Sequence, residues 1–510
     1  MLSKILSYGL VGIEGYPVEI EVDINNGLPS FDIVGLADTT VKESKERVKS
    51  AIKNSGYKYP VNKITVNMAP ADTKKEGPLY DLPISLALLA ATNQIPVKSV
   101  NNIVFIGELS LDGVIRKVNG VLPIIISARE HGYKNFIIPV QNSKEASFIK
   151  DVNIYPAESL KQVADYLNKE CEIEKLQPKD FDSIKNEENS FNDFCYIKGQ
   201  AVAKRALEIA AAGGHNLIML GPPGSGKTML AKAFPTILPD LTFEEALEVT
   251  KIHSIAGVLN PEEGIIFKRP FRSPHHTATT IALTGGGKNA KPGEISLAHN
   301  GVLFLDEMPE YNRQTLETLR QPMEDGIINV VRLNNSVCYP ANFVLIASMN
   351  PCPCGYYGSK DIQCKCTPQA IHKYLNKLSG PLMDRIDLHV EVDSVEYKNL
   401  TSDKLEESSA SIKDRVNKSR KIQLERFKNT KIFCNDKMSA PQVKKYCKLD
   451  EESELILKGA FDKLKLSARS HNRILKVART IADLEGEVYI NSDHILEAIQ
   501  YRNLDRKYWI

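Results

Sequence analysis

The chain has 510 residues, of which 42% are hydrophobic and 25% charged, and its formal net charge is +2. This size and composition exclude one small domain and a disordered chain, and they predict about two to four globular domains. The near-neutral charge excludes a uniformly basic protein, so a nucleic-acid partner would need a local basic surface. No apolar run approaches the roughly 18 residues of a membrane span and no signal-peptide pattern is present, so we expect a cytoplasmic protein without a membrane partner.

Residues 1–168 predict an α+β domain. Val18, Ile20, Val22 and Ile24 alternate with charged residues, which is the two-residue period of a half-buried strand. Helices are expected near 40–54, 82–92 and 121–131, and further strands near 64–68, 103–106 and 136–138. Residues 169–193 are charged and low in apolar content, which is typical of a linker.

The segment after residue 220 fits the phosphate-binding pattern G-x-x-x-x-G-K-[ST] without a mismatch. It follows an apolar run and precedes a helical pattern, so the order is strand, glycine loop, helix. Backbone amides of such a loop surround a polyphosphate, Lys227 would reach its β- and γ-phosphates, and the Thr228 hydroxyl would hold Mg²⁺. The alternative is a glycine-rich turn that matches by chance. The predicted nucleotide-binding positions are Gly221, Pro222, Pro223, Gly224, Ser225, Gly226, Lys227, Thr228 and Met229.

A second apolar run, 301–305, ends in Asp306 and Glu307. Acidic residues at the carboxyl end of a buried parallel strand point into the crevice where α/β sheets bind ligands. Asp306 would contribute to the Mg²⁺ shell, and Glu307 would polarise the attacking water. The alternative is a solvated acidic turn.

Four cysteines form a C-x-C…C-x-C set within one short segment. They are Cys352, Cys354, Cys364 and Cys366. Four thiols at this spacing can close a tetrahedral Zn²⁺ site. Because most zinc sites use C-x₂-C, reduced or redox-active thiols remain the alternative.

Two segments of the first domain resemble the S5-fold proteolytic domain of Lon-type proteases. Lys75–Leu79 (KEGPL) lies where that family has D-G-P-S, and Gly107–Gly113 (GELSLDG) matches its G-E-hydrophobic-x-L-x-G turn. The nucleophile position is Leu79 and the partner position is Leu122, which supply neither a hydroxyl nor an amine. We therefore expect a protease-like domain without peptidase activity that serves assembly or binds an unknown protein partner.

The order of these parts resembles the YifB/ComM family of Mg-chelatase-like AAA+ ATPases. The resemblance implies an α/β multidomain fold with an S5-like domain at 1–168, a linker at 169–193, a P-loop AAA+ core at 194–397 and an all-α lid at 398–510. It also implies that Asn350, after the apolar strand 343–349, orients the attacking water, although an Asn that only forms a turn after the strand is the alternative. For the lid arginine that reaches the nucleotide, Arg469 is the first candidate and Arg473 the second.

Arg385 resembles the arginine finger of this branch of AAA+ proteins, which is donated into the site of a neighbouring subunit. A guanidinium suits this task because it stays charged and forks across two oxygens. The alternative is an ordinary ion pair with Asp384 or Asp387. A finger acting between subunits implies a homo-oligomeric ring, which the family resemblance makes a hexamer.

Two loops match the positions of pore loops in DNA-translocating relatives. One lies between the phosphate-binding loop and Asp306, and the other lies between Glu307 and Asn350. Their basic residues are Lys288, Lys291 and Arg332. Lysine and arginine on loops bind phosphates without reading sequence, although ordinary solvated loops are the alternative. The resemblance implies ATP hydrolysis coupled to DNA movement, as in a branch-migration helicase linked to recombination or natural transformation. A chelatase-type or chaperone-like remodeller, and a scaffold that binds ATP structurally, are the other classes.

Overall fold

The structure is a computed structural model of the chain. It describes residues 2–181, 192–260, 262–287, 290–331, 336–358, 362–394, 405–430, 432–464, 467–502 and 504. The chain divides into two compact units. The helices of the described residues include none long and apolar enough to cross a bilayer.

The first unit contains the described residues of Met1–Asn186 and Thr242–Phe267. Its strands are β1 (Leu2–Val11), β2 (Glu14–Asn25), β3 (Ser30–Val34), β4 (Lys63–Ala69), β5 (Ile103–Phe105), β6 (Glu108–Leu109), β7 (Ile115–Arg116), β8 (Asn135–Pro139) and β9 (Asn153–Ala157). A mixed sheet has the order β3-β4-β2-β1-β5-β8-β9, and β6 pairs with β7. The helices are Thr39–Lys42, Ser44–Asn54, Asp81–Ala91, Val121–Glu130, Ser143–Ala146, Leu160–Leu167 and Phe243–Ala256.

The alternating pattern that predicts the first strand falls within β2. Val18, Ile20 and Val22 are fully buried there, because every second side chain of the strand faces the core. Leu79 and Leu122 are also buried in the core of this unit. The absence of peptidase activity, and the likeness to the S5 fold, stay predictions.

Two stretches pack differently from the predicted domain boundaries. Thr242–Phe267 lies within the predicted core at 194–397, yet it belongs to the first unit. Its helix is held there because Ser254 Oγ donates to Glu145 Oε2 (2.9 Å) and Leu247 packs against the apolar core. The predicted linker also begins as packed chain, since Ile173 is buried in the same core. Residues 182–191 of that linker lie outside the described residues.

The second unit contains the described residues of Glu187–Leu241 and Lys268–Ile510. Its strands are β10 (Leu217–Leu220), β11 (Phe271–Arg272), β12 (Gly285–Gly286), β13 (Lys291–Pro292), β14 (Val302–Leu305), β15 (Ile327–Val331), β16 (Ser336–Pro340), β17 (Val344–Met349) and β18 (Leu388–Glu391). A parallel sheet has the order β11-β14-β17-β10-β18, and the pairs β12-β13 and β15-β16 are antiparallel.

Helices pack against this sheet and make up the carboxyl-terminal region. They are Ala201–Gly213, Lys227–Ala233, Thr280–Thr284, Glu294–Leu297, Arg313–Glu317, Arg320–Asp325, Pro368–Leu375, Gly380–Met383, Ser409–Arg426, Ala440–Tyr446, Glu451–Leu464, Ala468–Glu485 and Ser492–Gln500. The apolar stripe Ile474, Val477, Ala478 and Ile481 of one long helix is buried in the unit's core. The α/β sheets and the helical carboxyl-terminal region confirm the predicted fold class.

Candidate active site

The parallel sheet brings the predicted site residues together at the carboxyl ends of its strands. In its register, Leu220 of β10 lies opposite Met349 of β17, and Leu305 of β14 lies opposite Ala347. The carboxyl ends of these three strands therefore lie side by side. The phosphate-binding loop, Asp306 and Asn350 directly follow them.

The glycines of the phosphate-binding loop are required by the backbone. Gly224 and Gly226 have φ values of 78° and 91°, which a side chain would strain. At Gly221 a Cβ atom would lie 2.1 Å from the Val392 carbonyl oxygen, so only glycine fits against the neighbouring strand. The helix Lys227–Ala233 begins directly after this loop.

Lys227 points back over the loop. Its Nζ donates to the carbonyl oxygens of Gly221 and Pro222, both at 2.8 Å, and lies 3.3 Å from Asn350 Oδ1. The residue is only 8% exposed. Burial lowers the pKa of Lys227 to about 8, although the negative charges nearby oppose this shift.

Asp306 is the centre of a hydrogen-bonded group at the end of β14. Its Oδ2 accepts from Thr228 Oγ1 at 2.9 Å, and its Oδ1 accepts from the Ser348 hydroxyl and from the Glu307 amide at 3.2 Å. These contacts orient the carboxylate beside the phosphate-binding loop. Ser348 is absent from the predicted site; its only signal is a hydroxyl in an otherwise apolar strand.

Glu307 leaves the strand in a left-handed conformation, with φ 50°. Its amide also donates to Ser348 Oγ (3.2 Å), and its side chain is exposed. A left-handed backbone is costly for a residue with a Cβ atom, and such conformations are frequent at functional sites. Glu307 therefore presents an exposed carboxylate next to the half-buried Asp306.

The first expected result concerns pH. Because burial lowers the pKa of Lys227 to about 8, its side chain is mostly a neutral amine at higher pH, whereas the charged ammonium is the form that would bind phosphate. Binding must then take up one proton, so we expect the Kd for ATP to rise by up to about tenfold per pH unit above this pKa. Calorimetric titration from about pH 7 to about pH 9.5 measures this change, and two buffers of different ionisation enthalpy report the proton uptake.

Lys232, an exposed lysine on the same helix, provides the matched control. The Lys232→Ala variant should keep the wild-type pH profile. A Kd that stays constant across pH 8 would contradict phosphate binding by Lys227.

Gln200 ties the phosphate-binding loop to the edge strand. Its Nε2 donates to the Ser225 carbonyl oxygen (3.3 Å) and to the Asp393 carbonyl oxygen (2.6 Å). The predicted ligand-binding residue Met229 lies just beyond the loop and is 57% exposed.

Arg385 lies near the amino end of β10, whereas Lys227 lies beyond the carboxyl end of that strand. Its carbonyl oxygen accepts from Asn216 Nδ2 at 3.3 Å. Asn216 directly precedes β10, whereas Lys227 comes after that strand. Arg385 is therefore remote from the phosphate-binding loop of its own chain.

The Arg385 guanidinium is buried and bound within its own chain. The residue is 4% exposed, its Nη1 donates to the Pro381 carbonyl oxygen (2.7 Å), and its Nη2 lies 2.7 Å from Glu324 Oε2. The ion-pair partner is thus Glu324 rather than Asp384 or Asp387. The predicted role between subunits stays a prediction, and it requires Arg385 to leave Glu324.

The two lid arginines lie on the same side as Arg385. Arg473 is mostly buried, pairs with Asp387 and donates to the Arg385 carbonyl oxygen (2.8 Å). Burial alone would raise the pKa of Asp387, but the adjacent Arg473 holds that pKa well below its usual range. Arg469 is exposed, with its Nη2 3.9 Å from Glu324. The structure brings neither arginine to the phosphate-binding loop of the same chain.

The four predicted metal ligands do come together. Cys352, Cys354, Cys364 and Cys366 offer sulfur atoms that all lie within 4.8 Å of one another. A second group with possible ligands, His215, Asp387 and Asp436, is also buried in part, but Arg473 already neutralises Asp387.

The candidate DNA-binding residues are only partly described. Lys291 lies on β13 and is exposed. Lys288 and Arg332 lie outside the described residues.

Family models assign the chain to the magnesium-chelatase class. The model described as "Magnesium chelatase, subunit ChlI" matches residues 193–400. "Subunit ChlI of Mg-chelatase" matches residues 20–142, and "Magnesium chelatase, subunit ChlI C-terminal" matches residues 406–502. The class is therefore that of Mg-chelatase-like AAA+ proteins.

Full-length relatives narrow this class. Competence protein ComM of Haemophilus influenzae is 45% identical over 514 residues, covering 99% of this chain and 98% of the relative. YifB of Escherichia coli is 44% identical, with the same coverage. The magnesium-chelatase 67 kDa subunit of Chlorobaculum parvum is 30% identical over only 31% of this chain and 23% of its own length. The chain belongs to the ComM/YifB family of Mg-chelatase-like AAA+ proteins.

Proposed function

We propose that this protein hydrolyses ATP with Mg²⁺ in a homo-oligomeric ring, a hexamer, and moves DNA without reading its sequence. The carrying observation is the convergence of Lys227, Thr228, Asp306 and Asn350 at one edge of a parallel sheet. This arrangement supplies a cation for phosphate, two oxygen ligands for a metal and a polar amide, which are the parts that phosphoryl transfer needs.

The residues of the site would divide the work. The Lys227 ammonium would bind the β- and γ-phosphates and leave the carbonyl oxygens that it now contacts. The exposed Glu307 carboxylate would accept hydrogen bonds from the attacking water and polarise it, and Asn350 would help orient that water. An arginine from a neighbouring subunit would bind the charge that develops on the phosphate oxygens.

The metal fits the donor set of the chain. Thr228 and Asp306 would hold Mg²⁺, because hydroxyl and carboxylate oxygens are the ligands that this ion prefers. When bound, the ion would neutralise charge on the phosphate oxygens. Ser348 would keep the Asp306 carboxylate in place.

Two features support a DNA substrate. Lys291 lies exposed on the antiparallel pair β12-β13, where a phosphate backbone could contact it. A full-length relative carries the name competence protein. Both features favour a DNA-directed motor.

ATPase assays of the full chain with single-stranded, duplex and branched DNA test this proposal, together with mass measurements in nucleotide. We expect assembly, and stimulation by DNA that falls steeply between about 50 mM and about 200 mM salt. Lys291→Ala should weaken the stimulation, whereas Lys161→Ala, which removes an exposed lysine in the first unit, should leave it unchanged.

A chelatase-type remodeller is the second candidate, because the family models carry the magnesium-chelatase description. Stimulation by a tetrapyrrole or a partner protein, with no response to DNA, would favour it. Nucleotide binding without any turnover would instead favour the third class, a scaffold that binds ATP structurally.

A further inference from the structure

We propose that Cys352, Cys354, Cys364 and Cys366 bind one Zn²⁺ as a four-thiolate site that holds Asn350 and the phosphate-binding loop in position. The metal site rests on the geometry of the sulfur atoms alone. Its effect on turnover rests on the proposed ATPase function.

The sulfur atoms have the spacing of a tetrahedral metal site. Cys352 Sγ lies 3.3 Å from Cys354 Sγ and 3.6 Å from Cys364 Sγ. The sulfur atoms of Cys354 and Cys364 are 3.5 Å apart. With Zn–S bonds of about 2.3 Å, a regular tetrahedron places its sulfurs about 3.8 Å apart. The chain therefore already holds its thiols near the required separation.

Disulfides do not explain this cluster. All four cysteines are free, and their separations are far above the S–S bond length of about 2.05 Å. Four thiolates this close repel one another unless a cation lies between them. Soft sulfur ligands favour Zn²⁺ over Mg²⁺, so the metal differs from the one expected at the nucleotide.

Backbone amides support the thiolates. The Tyr357 amide donates to Cys352 Sγ (3.3 Å), and the Cys366 amide donates to Cys364 Sγ (3.4 Å). Hydrogen bonds of this kind orient metal ligands and stabilise their negative charge. Cys352 is fully buried, which limits access of solvent to the cluster.

The cluster is joined to the proposed nucleotide site in two places. Cys352 follows Asn350 by two residues, so a metal bound to Cys352 would fix the position of the chain directly after Asn350. Gly355, between the first and second cysteine pairs, packs against the phosphate-binding loop: a Cβ atom on it would lie 2.4 Å from Pro223 Cδ. Its φ of 84° also requires glycine at this position.

The other end of the cysteine segment returns to Asn350. Thr367 follows the last cysteine and caps the helix Pro368–Leu375, with its hydroxyl accepting from the Ala370 amide (3.3 Å). Tyr374 on that helix is buried, which raises its pKa, and the nearby Asn350 backbone amide opposes this rise. Asn350 thus lies close to both ends of the segment that the metal would close.

Loss of the metal should therefore displace Asn350 and loosen the loop around Pro223. A displacement of about 1 Å at a reacting group can lower a rate by about 100-fold. We expect turnover to fall by this factor in the zinc-free protein.

Metal analysis of the purified full chain tests the site. We expect one Zn²⁺ per chain, its stepwise release by a mercurial reagent, and the visible spectrum of a tetrahedral thiolate complex after growth with Co²⁺. Cys354→Ser and Cys364→Ser should lose the metal. Cys338→Ser, at an exposed cysteine on β16, is the matched control and should keep it.

The outcomes separate the two proposals. A chain purified without zinc, with iron instead, or with zinc that survives both Cys354→Ser and Cys364→Ser, would overturn the metal site. Zinc loss with unchanged turnover would overturn its link to Asn350. The spectrum and mercurial release are read on the unmutated protein, so a variant that fails to fold leaves the test intact. If the unmutated chain binds zinc but does not hydrolyse ATP, the proposed ATPase function fails while the zinc site stands. If Glu307→Gln retains both its zinc and full ATPase activity, only the role proposed for Glu307 fails.

Discussion

Replacing Glu307 by Gln should leave ATP bound to the chain and lower its turnover by about 10³-fold. The amide has the shape of the carboxylate, so the left-handed turn at this position and the amide contacts to Asp306 and Ser348 should persist. An amide cannot accept a proton or polarise water as a carboxylate does. Phosphate release and nucleotide binding, measured on the same preparation, separate the two effects.

Glu310 gives the control for this substitution. It is an exposed glutamate on the same turn, paired with Lys377 at 3.2 Å and three residues beyond Glu307. Glu310→Gln should hydrolyse ATP at the wild-type rate. Undiminished turnover in Glu307→Gln, or equal losses in both variants, would show that the carboxylate at the end of β14 does not polarise water.

The sequence predicts the parts of this site that depend on local order. Where a buried strand is followed by a glycine loop or an acidic pair, the local sequence determines the path of the backbone. It also determines the end of the sheet at which these residues lie. The loop Gly221–Thr228, Asp306 and Asn350 therefore come together as expected from their strands. The cysteine set is predicted for the same reason, since its members lie within one short segment.

The parts that escape prediction depend on partners far along the chain. Nothing around Ser254 indicates that its helix packs in the first unit, because its partner Glu145 lies about a hundred residues earlier. The ion pair of Arg385 with Glu324 also joins two elements that follow different strands. Such pairings depend on the packed fold rather than on any local pattern.

The second large effect is expected from mixing two inactive variants. Arg385→Ala keeps the phosphate-binding loop but lacks the arginine, and we expect its turnover to fall by about 10³-fold or more. Lys227→Ala should lose phosphate binding but keep Arg385. If one subunit donates Arg385 to the site of the next, mixed assemblies contain complete sites, and ATPase activity should reappear on mixing.

Geometry within one chain supports this design. Asn216 contacts the Arg385 carbonyl and stands five residues before Gly221, with β10 between them. At about 3.3 Å per residue, these positions are roughly 16 Å apart along the strand. In this arrangement Arg385 lies too far from the phosphate-binding loop of its own chain to reach a phosphate bound there, so a contact with a nucleotide would require another copy.

Glu324→Gln distinguishes this role from a structural one. Glu324 pairs with Arg385, and this hydrogen bond lowers the pKa of Glu324, so the pair is charged near neutral pH. If Arg385 serves only this ion pair, Glu324→Gln and Arg385→Ala should lose turnover alike and mixing should restore nothing. If Arg385 must leave Glu324 to bind a neighbour's nucleotide, Glu324→Gln should retain turnover, because the substitution frees a guanidinium whose Nε lacks a hydrogen-bond partner among the described residues.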